Sequence, residues 1–185
     1  MDCFCFPLGC FLCILRPMSL EDIKKVRLDK LEKIKAKGIN PYPAKSSKTH
    51  DIKDVISDFD SILEGGKEIT LVGRIMSMRG QGAIIFSDIF DGTGRFQMLF
   101  KRDEMDEEQF EFFTDVADIG DFIEATGIPF VTKSGQNSLK ISGWRMLAKS
   151  ILPLPEKWHG LQDEEARFRK RYLDILIDEN VAERF

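Results

Sequence analysis

Hydrophobic and polar residues alternate from position 69. Ile69, Leu71, Gly73 and Ile75 fall on one face of an extended chain and Thr70, Val72, Arg74 and Met76 on the other, a period of two that predicts a strand over 69–78. Gly80-Gln81-Gly82 interrupts it. A β-branched and aromatic run at 83–90 reads as a second strand, Asp91-Gly92-Thr93-Gly94 as a tight turn, and 95–100 as a third strand, which together make a meander. The period then changes. Met105, Phe110, Phe113 and Val116 recur near helical spacing among acidic residues, so 103–116 is a helix. Two further extended runs, 121–132 and 138–149, flank a turn at 133–137. Gly127-Ile128-Pro129 and Gly143 read as bends or bulges within them, and Leu139, Ile141, Trp144, Met146 and Leu147 as core candidates.

Helical patterns lie on both sides of this block. Ser19 is placed to cap a helix with Asp22 in its first turn, and Ile23, Val26, Leu31 and Ile34 form its apolar stripe. Lys24, Lys25, Arg27, Lys30, Lys33, Lys35 and Lys37 cover the remainder, with Glu21 to Lys25 and Asp29 to Lys33 spaced as ion pairs one turn apart. Residues 19–37 carry a net charge of +3. Two readings fit: a solvated face, or an electrostatic contact with an RNA backbone. Gly38 ends the helix and Asn40-Pro41-Tyr42-Pro43 prevents its resumption. Ile52, Val55, Ile56, Phe59, Ile62 and Leu63 mark a short amphipathic helix in the connector. Past the last strand, Leu152-Pro153-Leu154-Pro155 is a stiff spacer. A helix is expected at 164–177, with Phe168, Tyr172 and Ile175 on one face and Arg167, Arg169, Lys170 and Arg171 as a basic cluster.

Composition narrows the possibilities. A chain of 185 residues with 43% hydrophobic content buries one good core. Its net charge of −4 argues against non-specific coating of nucleic acid, so any RNA contact is local. No apolar run is long enough for a membrane span. All four cysteines, Cys3, Cys5, Cys10 and Cys13, lie in the first 13 residues. Their spacing suits zinc poorly, and Asp2 stands where a signal peptide would carry positive charge, so 1–17 reads as an unstructured leader. A cysteine-free body fits a reducing, cytoplasmic setting. His50 has no histidine or cysteine nearby and is a surface or helix-leading residue. His159 has no acid or nucleophile in a defined motif and reads with Trp158 as interdomain packing.

Strand, strand, strand, helix, strand, strand is the order of an OB-fold, a five-stranded Greek-key barrel that binds on its strand 2 and 3 face and its 1–2 and 4–5 loops. The fold class is therefore mainly β with flanking helices: a barrel over 67–151, a basic N-terminal helix and connector over 18–66, and a C-terminal linker helix within 152–185. The sheet carries Arg74, Arg79 and Arg95 for phosphates, Phe86 and Phe96 for stacking, and Gln97 for base edges, a set suited to single-stranded RNA. Arg79 and Gln136 come from the two binding loops. Taken singly, Phe86 reads more readily as a core residue than as a platform, and Gln97 as an ordinary exposed strand residue.

Three segments, Val72-Gly-Arg-Ile-Met through Phe86, Gly94-Arg-Phe-Gln97, and Leu152-Pro-Leu-Pro-Glu-Lys-Trp-His-Gly-Leu-Gln-Asp-Glu-Glu-Ala-Arg-Phe-Arg-Lys-Arg-Tyr-Leu-Asp174, resemble class II lysyl-tRNA synthetases, the last most specifically. The similarity runs over about 26–185. It implies that the barrel binds the uridine-rich anticodon of tRNA-Lys, with the middle uridine stacked on Phe86 and polar contacts from Gln97 and Arg79. Where the family's 4–5 loop often offers Gly-Glu, this chain has Gly135-Gln136, so Gln136 accepts from uridine N3–H without a carboxylate's charge. The resemblance further implies a homodimer for the full-length family member, built from a helix whose threshold is 181–185, and lysine adenylation using ATP and Mg²⁺. The family's catalytic arginines and acidic Mg²⁺ ligands have no counterparts in these residues. The expectation is therefore the anticodon-binding part of a lysine–tRNA ligase, with no catalytic residue, metal or cofactor of its own, which binds tRNA without charging it. Two other classes stay open: a free-standing RNA-binding module, and a structural subunit docking a separate catalytic chain through Phe168, Tyr172 and Ile175.

Overall fold

The computed structural model describes residues 19–155, 164–182 and 184. The readings made of the leader, of Trp158 and of His159 lie outside them. Five strands, β1 (Ile69–Gln81), β2 (Ile84–Phe90), β3 (Arg95–Lys101), β4 (Phe122–Val131) and β5 (Asn137–Ala148), close into a barrel in the order β1-β2-β3-β5-β4. Every neighbouring pair is antiparallel except β3 and β5, which run parallel through Gln97↔Ser138, Met98↔Leu139 and Leu99↔Lys140. This is the OB-fold barrel that the order of elements implied.

Alternation sorts the side chains as a closed sheet requires. Leu71, Ile75, Ile85, Ile89, Met98, Phe100, Ile123, Ala125, Leu139, Ile141 and Met146 are buried inside. Phe96 is also core, at 4% exposure, and is no platform for a base. Phe100 and Phe113 stack at 4.0 Å between centroids, and Phe113 meets Trp144 edge-on, which seats α4 (Glu107–Val116) against the barrel. That helix is capped by Asp106, whose carboxylate accepts from Gln109 N–H. The residues before it, Arg102–Glu104, form one 3-10 turn, so the helix is shorter than its acidic lead-in suggested.

Irregularities in the pairing sit where one strand must bend. On β5, Thr126↔Gly143 is followed by Gly127↔Ile141, leaving Ser142 as an extra residue beside Gly143. β4 runs on through Gly127-Ile128-Pro129, so the bulge belongs to β5. A Cβ on Gly127 would stand 2.0 Å from the Lys140 carbonyl oxygen; this crossing admits only glycine. Two further shifts lie at Leu147 on β5 and at Met76 on β1, neither of them at a glycine.

The N-terminal helix α1 (Leu20–Ala36) begins with a reciprocal capping box between Ser19 and Asp22, and Gly38 follows its end at φ 74°. Its buried face differs from the expected stripe. Val26 is exposed, whereas Arg27 is buried and donates to the carbonyls of Ile119, Ser150 and Leu152. Lys30, Lys33 and Lys37 pair with Asp118, Asp115 and Glu108 of α4 and the loop after it, so much of the basic face is used inside the protein, and Lys33 does not serve Asp29. Beside them the fully buried Lys149 ammonium donates to Asp118, Asp121 and the Val116 carbonyl. Burial pushes the Asp121 carboxyl above its ordinary range despite Lys149. For Asp118 the same effect is outweighed by hydrogen bonds from Lys149 and Lys30, which hold it below.

The amphipathic connector forms two short helices, α2 (Ile52–Ser57) and α3 (Phe59–Gly65), that bury Ile52, Val55 and Phe59 and leave Ile56 exposed. Asp91, in the β2–β3 turn, accepts from Ile52 N–H at the start of α2, which fastens this connector to the barrel. The expected C-terminal helix is broken at Lys170 into α5 (Glu164–Arg169) and α6 (Arg171–Ile177), followed by α7 (Glu179–Ala182). Its basic cluster is largely internal: Arg167 and Arg171 both reach Asp174, and Arg169 reaches Glu165. Among the described residues, no helix is long and apolar enough to cross a membrane.

Candidate functional site

The outer faces of β2 and β3 build the floor of a groove. Strand parity sends Ile85, Ser87 and Ile89 inward, so Ile84, Phe86 and Asp88 stand on the opposite face. Antiparallel pairing brings Phe86 opposite Leu99, Asp88 opposite Gln97 and Ile84 opposite Lys101. Phe86 and Gln97 therefore share one face as diagonal neighbours. The groove encloses about 870 Å³, and Arg79, Phe86, Gln97 and Gln136 all line it. That volume lies within the range typical of small-ligand clefts.

Each of the four is positioned differently. Phe86 is half-buried, its ring on the floor. Gln97 is only 6% exposed, and its amide oxygen accepts from the Ser138 hydroxyl at 2.8 Å, an anchor on the strand that pairs with β3 in parallel. An amide held by its oxygen has two N–H donors left to offer. Arg79 lies within β1 and not in a loop, because β1 extends to Gln81; it stands opposite Phe86, with its guanidinium 3.7 Å from Asp88. Asp88 in turn accepts from Ser77 Oγ at 2.5 Å. Gln136 sits on a tight loop closed by hydrogen bonds from Thr132 N–H to the Gln136 carbonyl and from Gln136 N–H to Thr132 Oγ1. Gly135 takes a φ of 82° there, a conformation few other residues adopt without strain.

Further groove residues carry no motif in the sequence. Lys101, Lys133 and Lys140 line the walls; with Arg79, itself beside Asp88, they set four cations around the groove against Glu104 among its lining residues. Glu104 receives Lys101 on one oxygen at 2.9 Å and Lys140 on the other at 2.8 Å. The hydrogen bond from Lys140, then that from Lys101, holds the Glu104 carboxyl below its ordinary range, and the bond to Glu104 raises Lys101. Parity alone could have marked these lysines, since Lys101 falls in step with Gln97 and Lys140 out of step with Leu139 and Ile141. Their meeting depends on the β3–β5 pairing. Two of the arginines on the sheet do not join them: Arg74 lies over the Phe122 ring at 4.3 Å and Arg95 over Phe90 at 5.8 Å. The local excess of positive charge, on a chain of net −4, suits a polyanion held at one place.

Comparison with known proteins agrees with the barrel. Residues 69–147 match the tRNA anti-codon family, an OB-fold nucleic acid binding domain. The chain is 40% identical over 169 residues to the lysine–tRNA ligase of Roseiflexus castenholzii, covering 91% of this chain and 35% of the relative. Against the lysine–tRNA ligase of Carboxydothermus hydrogenoformans it is 39% identical, covering 90% and 34%. Against lysine–tRNA ligase 2 of Methanosarcina mazei it is 39% identical, covering 86% and 31%. The chain spans about a third of the length of the curated relatives it matches.

Proposed function

We propose that this chain, whose residues 69–147 match the tRNA anti-codon family of OB-fold nucleic acid binding domains, reads the uridine-rich anticodon of tRNA-Lys in the groove over β2 and β3. One observation carries the reading: Arg79, Phe86, Gln97 and Gln136, drawn from four different parts of the chain, line the same cleft. The middle uridine stacks on Phe86, a contact worth ~1–3 kcal/mol. Gln97 donates an amide N–H to a uracil carbonyl, Gln136 accepts from N3–H through its amide oxygen, and Arg79 meets a backbone phosphate.

The wider activity follows the relatives' name. As part of a lysine–tRNA ligase the chain serves lysylation of tRNA, with ATP and Mg²⁺ handled by residues other than those of the groove, in a homodimer and in the cytoplasm. These 185 residues alone bind tRNA and leave it uncharged. The test is titration of the chain with an anticodon stem-loop bearing three uridines, alongside the same stem-loop with cytidine at the middle position. Cytidine presents an amino group and no N3–H, so the first RNA binds more tightly. Equal affinity for the two would overturn the reading.

A further inference from the structure

Glu104 shares the groove lining with four cations, Arg79, Lys101, Lys133 and Lys140. Its two carboxylate oxygens are taken separately by Lys101 from the end of β3 and Lys140 from β5, at 2.9 and 2.8 Å. A phosphodiester offers the same chemistry, two equivalent oxygens sharing one negative charge. All three side chains keep about a third of their surface open, so an incoming anion can reach them.

We propose that Lys101 and Lys140 form a phosphate subsite on the groove wall and that Glu104 occupies it as an internal counter-anion in the free protein, yielding to an RNA phosphate on binding. The proposal rests on the reading of the groove as an RNA site. Displacement is feasible because partly exposed ion pairs are weak, and the lysines exchange one charge-assisted pair of hydrogen bonds for another. Its consequence is a lower affinity for every single strand: any RNA that seats a phosphate here must first displace Glu104. The hold on RNA then rests that much more on the base contacts at Phe86 and Gln97.

The experiment measures affinity as a function of salt for the uridine-bearing anticodon stem-loop and for an unstructured oligoadenylate of equal length. Glu104→Gln is expected to tighten binding of both, by roughly threefold or more. The double variant Lys101→Gln/Lys140→Gln is expected to weaken binding and to reduce the slope of log K against log salt by about 0.7, the loss of one single-strand phosphate contact. Adding Glu104→Gln to that double variant is expected to change nothing further. Unchanged or weaker binding by Glu104→Gln, or an unaltered salt slope in the double variant, overturns the proposal. If Phe86→Ala abolishes binding of the stem-loop while Glu104→Gln leaves it as it was, this inference falls alone. If the unmodified chain binds neither RNA, the reading of the groove falls with it.

Discussion

The Ser138 hydroxyl on β5 lies 2.8 Å from the amide oxygen of Gln97 on β3, a buried hydrogen bond between residues 41 apart in sequence. It fixes which end of the amide is spent inside the protein and ties together β3 and β5, the one pair of barrel strands that runs parallel among the described residues. Ser138→Ala leaves the Gln97 oxygen buried without its donor, at a cost of about 1–3 kcal/mol. We expect a lower urea midpoint with an unchanged slope, together with weaker binding of the anticodon stem-loop.

Phe86 separates binding from folding. Because it is half-buried on the outer face, Phe86→Ala should reduce RNA affinity by ~1–3 kcal/mol through lost stacking and cost less stability than Phe113→Ala, which empties a fully buried site and costs about 3–5 kcal/mol. Fluorescence anisotropy and thermal melts of the two variants distinguish them. Unchanged affinity in Phe86→Ala would place the stacking platform elsewhere.

Asp91 makes part of the stability depend on pH. Burial by itself would raise its carboxyl. The hydrogen bonds from Ile52 N–H, from the Thr93 side chain and backbone, and from Lys48 prevail and lower it from 3.8 to about 2. A carboxyl depressed in the folded state contributes stability in full above its unfolded value and loses it as the pH falls from 3.8 toward 2. Melting temperatures of the native chain and of Asp91→Asn should therefore converge across that window and stay apart above it. A constant gap would show that the charge of Asp91 is not what fastens α2 to the β2–β3 turn.

Gly127 tests the crossing of β4 and β5. An added methyl would meet the Lys140 carbonyl at 2.0 Å, a backbone atom that cannot rotate aside. Gly127→Ala should cost at least the ~1–3 kcal/mol typical of overpacking, whereas Gly135→Ala, with open space around its Cβ, suffers only from its φ of 82°. Denaturant titration of both orders them.

Arg27 gathers three carbonyls from two segments, at Ile119 and at Ser150 and Leu152. Arg27→Met keeps the aliphatic stem and removes the donors. We expect a lower melting temperature and faster limited proteolysis around 150–155, where the chain leaves the barrel. Proteolysis at the native rate would show that α1 does not hold this exit.

The strands, the capping box at Ser19 and the apolar face of α4 were legible because each repeats over a few residues what the backbone imposes locally. The groove was legible in part. Phe86 and Gln97 follow from parity and a short turn, and Gln136 from the position of the last loop. From the sequence Arg79 falls in a loop, because Gly80 and Gly82 read as the end of a strand that in fact continues to Gln81. Phe96 reads from the sequence as a binding aromatic, because parity within a strand does not say which face is inward until the sheet closes, yet it lies in the core. Arg27 looked like one more cation on a basic helix, since nothing near it in sequence announces three distant carbonyls.

By itself the amino-acid sequence determined the number and order of the strands, the helix after the third, and so the kind of barrel, because alternation and capping are written in neighbouring residues. Only the tertiary structure decided that β3 lies beside β5, and with it the meeting of Gln97 with Ser138 and of Lys101 and Lys140 with Glu104. Those contacts join residues from separate strands and turns. They exist only once the sheet has closed on a shared core, a choice made by the packing of the whole chain and by no single stretch of it.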